Sequence, residues 1–175
     1  MKRTTFIRSL FLGLALTCMA TVGWSQASPA ATATGNISGA NITIKYSSPS
    51  VRERAGKIWG TLVPYGKVWR AGANQATVLE TDKDLTVEGK ALPAGKYSIY
   101  AIPGESEWTI IINSQTGQWG ITRQGETTAD PAKDVLRVTV KPAKSATMNE
   151  RLVYTINAKG FVLSWENLDV PVSIK

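Results

Sequence analysis

Leu152-Val153-Tyr154-Thr155-Ile156-Asn157-Ala158-Lys159-Gly160-Phe161-Val162-Leu163-Ser164-Trp165 is the stretch that decides the fold class. Leu152, Tyr154 and Ile156 alternate with Val153 and Thr155, the period of two that lines one face of a strand. Asn157-Ala158-Lys159-Gly160 supplies turn residues with glycine last, and Phe161, Leu163 and Trp165 resume the alternation, so the stretch predicts an antiparallel hairpin. On either side the same period continues. Leu136, Val138 and Val140 alternate with Arg137 and Thr139, while Leu168, Val170, Val172 and Ile174 predict one more strand. Pro171 forfeits a ladder donor there and favours an edge position, which also blunts strand addition by a partner.

Upstream, Ile42, Ile44 and Tyr46 alternate with Asn41, Thr43 and Lys45, and further strands are predicted at Ala76 to Thr81, Leu85 to Val87 and Lys96 to Ile102. Ile102-Pro103-Gly104-Glu105 reads as a type II turn leading into Glu107 to Asn113, because Pro presets φ and Gly supplies a positive φ. The two strands it joins carry apolar residues on both parities, which predicts central strands covered on both faces. No segment offers a helical stripe. About eight to ten short strands predict an all-β protein, a single antiparallel β-sandwich of jelly-roll-like form.

The N-terminus carries Lys2, Arg3 and Arg8, an apolar run from Leu10 to Val22, and Ser25-Gln26-Ala27, the pattern of a signal peptide cut after Ala27. The organisation expected is therefore a signal peptide over 1–27, a flexible small-residue spacer over 28–40 and one domain over 41–175, periplasmic or secreted, with no membrane anchor after cleavage. The single cysteine, Cys18, leaves with the leader. Stability must then come from packing, although the compartment would permit disulfides. Removal of the leader also leaves 17 basic against 13 acidic residues, a net charge of +4 in place of +7. These charges are scattered rather than gathered on one run, so nucleic acid is not an expected partner. A monomer is expected.

The chain contains no histidine. With the cysteine gone as well, Ser-His-Asp and Cys-His catalysis and imidazole or thiolate metal sites lack their residues. Gly104-Glu105-Ser106-Glu107-Trp108 has Trp where a nucleophile elbow needs Gly, and Asp82-Lys83-Asp84 lacks the rest of a calcium loop. No metal, cofactor or catalytic residue is assigned. Two carboxylates across a cleft could still hydrolyse a glycan, and Glu80, Asp82, Asp84, Glu105, Glu107 and Glu166 are the residue types available for that.

The positive signal is Leu62-Val63-Pro64-Tyr65-Gly66-Lys67-Val68-Trp69-Arg70-Ala71-Gly72-Ala73-Asn74-Gln75-Ala76-Thr77, too rich in rings, Gly, Arg and Asn for ordinary strand. Trp108, Tyr154 and Trp165 sit on alternating strands and are core candidates, whereas Trp59, Tyr65, Trp69 and Trp119 sit in irregular backbone, as packing lids or ligand platforms. Arg70 offers a planar fork of donors for an anion, and Gly72 and Asn74 suit turns that expose backbone amides. Alternatively Arg70 stacks on a ring and caps carbonyls of its own loop while Asn74 closes an Asx-turn. The candidate ligand-binding residues are Tyr65, Trp69, Arg70 and Asn74. They predict a non-catalytic module for a small anionic or glycan ligand, with a carboxylate-dependent glycan-active enzyme and a structural or interaction protein of the cell envelope as alternatives.

This block, with Tyr46-Ser47-Ser48-Pro49 upstream and Pro93-Ala94-Gly95-Lys96-Tyr97-Ser98, Glu107-Trp108-Thr109 and Trp119-Gly120 downstream, closely resembles bacterial exported proteins catalogued as domain of unknown function 2911. The resemblance runs from about Ile42 to the C-terminus. The family's Trp-Arg-x-Gly-Ala-Asn-x-Ala-Thr stretch falls on Trp69, Arg70, Gly72, Ala73, Asn74, Ala76 and Thr77, implying a loop shared by the fold. Gln75 stands where an acidic residue is common, and Arg52-Glu53-Arg54-Ala55-Gly56-Lys57 is longer than the usual basic link, so neither Arg52 nor Arg54 is matched. The resemblance implies export in bacteria with two membranes and brings no activity with it.

Overall fold

Alternation becomes burial most plainly in β2 (Ala40–Ser47), where Ala40, Ile42, Ile44 and Tyr46 are buried and the residues between them are not. The computed structural model describes residues 28–175, so the leader read over 1–27 lies outside the described residues. Strand β2 joins β1 (Ala30–Ile37), β3 (Thr77–Thr81), β6 (Gly95–Ile102), β7 (Trp108–Asn113) and β8 (Asp134–Val140) in a six-stranded sheet, order β1-β2-β3-β6-β7-β8. All its neighbours run antiparallel. Two hairpins complete the fold, β4 (Leu85–Val87) with β5 (Lys90–Leu92) and β9 (Ala143–Asn157) with β10 (Gly160–Ser173). Phe161, Leu163 and Trp165 from β10 share one core with Ile42, Ile44, Leu79 and Ile99 of the large sheet. The protein is thus all-β, with a sandwich-like arrangement that does not close. Its helical turns among the described residues are two three-residue 3-10 turns.

Strands β6 and β7 are central, as their double-parity apolar residues predict. Their inner residues Ile99, Ala101, Ile110 and Ile112 face the core, and on the other side Tyr100 and Ile111 are buried with Ala76 beneath Val68, Ile102 and Ala129. The segment between β7 and β8 closes that outer side, with Gln118 O accepting from Ala76 N at 3.1 Å.

Three local expectations are corrected. The spacer read over 28–40 is not flexible coil: its Ala-Thr-Ala-Thr alternation forms β1 and pairs with β2 from Ala30↔Ser47 to Ile37↔Ala40. Small side chains are what the position needs, because a Cβ on Gly35 would lie 2.4 Å from Ile156 Cγ2. The link from β6 to β7 is not a type II turn, since Gly104 is absent from the positive-φ residues. Its glycine answers a different demand, an approach so close that a Cβ would lie 2.4 Å from Glu107 O.

The stretch Leu168 to Ile174 is not a separate strand but the second half of β10. A straight strand of that length would span about 46 Å, yet Ile174 N donates to Lys159 O at 2.9 Å, so the β9–β10 hairpin curls until its base meets its tip. Register shifts on either side of Glu166, itself at φ 52°, make the bend. Such irregularities strengthen strand twist and re-aim the chain. Beyond Pro171, Lys175 and Thr86 exchange backbone bonds at 2.8 and 2.9 Å, so β4 continues the layer.

Candidate functional site

Between β2 and β3 runs a long irregular segment, residues 48–76, which is drawn into the protein by its own apolar residues. Val51, Ile58, Val63 and Ala71 are buried, and Trp59 and Trp69 reach the core. There the two loop indoles meet the two strand indoles: Trp69 stacks on Trp165 (centroids 6.0 Å, planes 17° apart), while Trp59 stands edge-on to Trp108 at 4.9 Å and to Trp165 at 5.6 Å. Offset and edge-on pairs of this kind are worth about 0.5–1.5 kcal/mol each beyond the area they bury.

The backbone of Trp69 is fixed as firmly as its ring. Strand β3 pairs with β6 only as far as Thr77↔Ile99, which leaves Ala101 open, and Trp69 fills that slot with Trp69 N→Ala101 O at 2.7 Å and Ala101 N→Trp69 O at 2.8 Å. Ala71 follows at φ 50°, fully buried, with its carbonyl accepting from the Thr77 hydroxyl at 2.9 Å and the Tyr154 hydroxyl at 2.8 Å. Trp69 Nε1 donates to Gly72 O at 3.2 Å. A Cβ on Gly72 would lie 2.8 Å from Thr77 Oγ1, so the loop needs glycine there for room.

Arg70 projects the other way. Its Nη1 donates to Trp119 O at 3.3 Å and its guanidinium lies over the Trp119 ring, 5.9 Å from the centroid. Partial burial draws its pKa below the ordinary arginine value, with Tyr100 opposing in small part. The side chain stays cationic but is short of water, and a nearby anion would restore what burial removed.

Trp69, Arg70 and Trp165 line a cleft of about 700 Å³ together with Val63, Pro64, Val68, Ile121 and the Gln124–Thr127 turn. A cleft of this size is ordinary for a small-molecule site. Arg54, Lys67 and Arg70 stand around it against a single carboxylate, Glu126, among the described residues. Arg54 is steadied by Nε→Val51 O at 3.2 Å and by Nη2→Ser50 O. Trp165 is almost fully buried and its indole N–H has no acceptor among the described residues. A smaller hollow of about 550 Å³ beside Glu88, Lys141 and Lys159 has neither tryptophan nor arginine in its walls.

Of the four predicted ligand residues the structure brings two, Trp69 and Arg70, to this cleft. Tyr65 is exposed, its ring against Gly60; Asn74, at φ 56°, donates its Nδ2 to Ser28 O at 3.1 Å, and Ala76 N, the donor an Asx-turn would use, goes to Gln118 O instead. Neither lines the cleft. The carboxylates weighed for glycan hydrolysis lie outside it too. Asp82 accepts from Asn41 N and Nδ2, both at 2.7 Å, which holds it below the usual carboxylate range. Asp84 accepts from Ala94 N at 2.8 Å, Glu107 faces Lys141 at 3.9 Å, and buried Glu166 accepts from Gly56 N at 2.5 Å. No group of three acidic, histidine or cysteine residues fit to hold a metal exists among the described residues.

Sequence reasoning missed Arg54, Lys67, Ser28 and the turn after Ile121. Lys67 lay in plain view inside the ring-rich block, whereas the turn carries no motif and joins the site only through tertiary packing.

Fold and cleft together define an all-β protein with a cation-rimmed, tryptophan-walled cleft on its long β2–β3 loop. The chain belongs to the family described as "Protein of unknown function (DUF2911)", whose model matches residues 28–174. No curated protein and no solved structure matches it significantly.

Proposed function

We propose that this chain is an exported, non-catalytic binding module whose cleft beside Trp69 and Arg70 takes a small anionic ligand with an apolar body, or an acidic glycan fragment. The observation that carries the reading is the composition of the cleft: two stacked indoles, four aliphatic side chains and three cations facing one carboxylate. Rings and aliphatic walls supply burial, arginine forks orient an oxyanion, and a desolvated Arg70 favours the charged form of what it meets. Export rests on the leader-like residues 1–27, and both periplasm and extracellular space remain within the proposal.

Calorimetric titration of a panel of aromatic carboxylates and sulfonates, their neutral amides, and acidic and neutral oligosaccharides tests it. Anionic members should bind and their neutral partners should not, and Lys67→Gln with Arg54→Gln should weaken binding by roughly tenfold, the scale of losing one half-buried and one exposed charge pair. Equal affinity for anionic and neutral members, or none for any, would refute the anion reading.

A further inference from the structure

We infer that the binding cleft is completed by removal of the leader: cleavage after Ala27 makes Ser28 the first residue, and its new α-ammonium group becomes a fourth cation at the cleft rim. The inference rests on the proposed binding function and on the proposed cleavage. Ser28 is itself part of the cleft wall. Its carbonyl accepts from Asn74 Nδ2 at 3.1 Å, the carbonyl of Pro29 accepts from Ser48 N at 2.8 Å, and Ala30 pairs with Ser47 at the start of β1. Covalent geometry keeps the backbone nitrogen of Ser28 about 2.5 Å from that anchored carbonyl carbon, so the amine cannot wander from the rim. This also assigns Asn74 a part: a positioning residue that acts on the ligand through Ser28.

The charge change is specific to cleavage. An uncut chain has a neutral peptide N–H at Ser28, whereas the cut chain has an ammonium group with three donors. The ionisable groups around it are Arg54, Lys67, Arg70 and Glu126 in the cleft walls and Arg151, whose Nη1 reaches Ser48 O at 3.5 Å. An α-amino group titrates at about 7.7–8.0. Anion affinity of the cut protein should therefore fall as pH rises through that range.

The full chain is produced with its leader, purified after export, and compared with a variant carrying Gly-Gly inserted between Ala27 and Ser28, which moves the amine outward by up to about 7 Å. Intact mass fixes each N-terminus. The probes are 1-anilinonaphthalene-8-sulfonate and its neutral analogue N-phenyl-1-naphthylamine, followed by fluorescence. The expected result is a chain beginning at Ser28 that binds the sulfonate roughly tenfold more tightly than the insertion variant at pH 7, the scale of one charge pair at a half-buried site. That advantage should vanish by about pH 9, and the neutral analogue should bind both proteins alike. Asn74→Ala should weaken sulfonate binding in the natural chain and leave the insertion variant unchanged. A cut elsewhere than after Ala27, or equal sulfonate affinity and equal pH profiles in the two proteins, overturns the inference and leaves the cleft reading standing. Failure of both proteins to bind the sulfonate removes the cleft reading and this inference with it.

Discussion

The hydroxyl of Tyr154 reaches across the core from β9 to a single loop carbonyl, Ala71 O. Ala71 is held at a positive φ that costs a residue with a Cβ about 1–2 kcal/mol, and the hydroxyls of Tyr154 and Thr77 are what hold it. Full burial pushes the Tyr154 pKa far above the ordinary tyrosine value. In the unfolded chain the phenol ionises near about pH 10; in the folded chain it stays neutral. A raised folded-state pKa contributes stability that is complete below the unfolded value and is lost as pH climbs past it. Tyr154→Phe should therefore cost about 1 kcal/mol near neutrality, through the lost bond. It should also flatten the loss of stability above about pH 10. Urea unfolding midpoints across the alkaline range check both. Little of this was legible beforehand: alternation marks Tyr154 as a core residue, but nothing in sequence links position 154 to position 71.

At the scale of elements, periodicity carried the strands because each has one face to bury. Where side chains are small or an element is defined by long-range curvature, periodicity is silent. Strand β1 has no large apolar residue before Ile37 and so resembled a spacer, although pairing with β2 and contact with Ile156 make it part of the sheet. The curl of β10 escapes for a different reason: its apolar positions change parity across Glu166, from Phe161, Leu163 and Trp165 to Leu168, Val170 and Val172, which reads as a break between two strands and not as a bend within one. Gly160 marks where the curl closes: at φ 144°, a Cβ there would lie 1.9 Å from Val172 O and 2.8 Å from Ile174 N. Both are backbone atoms and cannot swing aside. Gly160→Ala should lower stability by about 2–3 kcal/mol, as overpacking does, with near-UV circular dichroism altered because Phe161 and Trp165 lie on the same strand. A thermal midpoint unchanged by this substitution would mean that the base of the hairpin does not return to its tip.

For the whole molecule, the core and the candidate site are one construction. Trp69 and Trp165 stack at the heart of the sandwich, yet both line the cleft, so the rings of the cleft are held by the same packing that holds the core. The sequence showed which block was unusual and which residue types it offered, and two of those residues, Trp69 and Arg70, line the cleft. It did not show that the core and the cleft share the same rings, nor that Arg54, the turn after Ile121 and Ser28 line that cleft from separate parts of the chain. The most direct test uses the five indole N–H signals of the chain from Ser28 onward, those of Trp59, Trp69, Trp108, Trp119 and Trp165, followed by 15N–1H NMR during titration with naphthalene-2-sulfonate and, separately, its neutral sulfonamide. An anion cleft predicts that the sulfonate moves the Trp69 and Trp165 signals most and that the sulfonamide leaves them nearly in place. Unmoved Trp69 and Trp165 signals at millimolar sulfonate, or equal shifts with the sulfonamide, would contradict it.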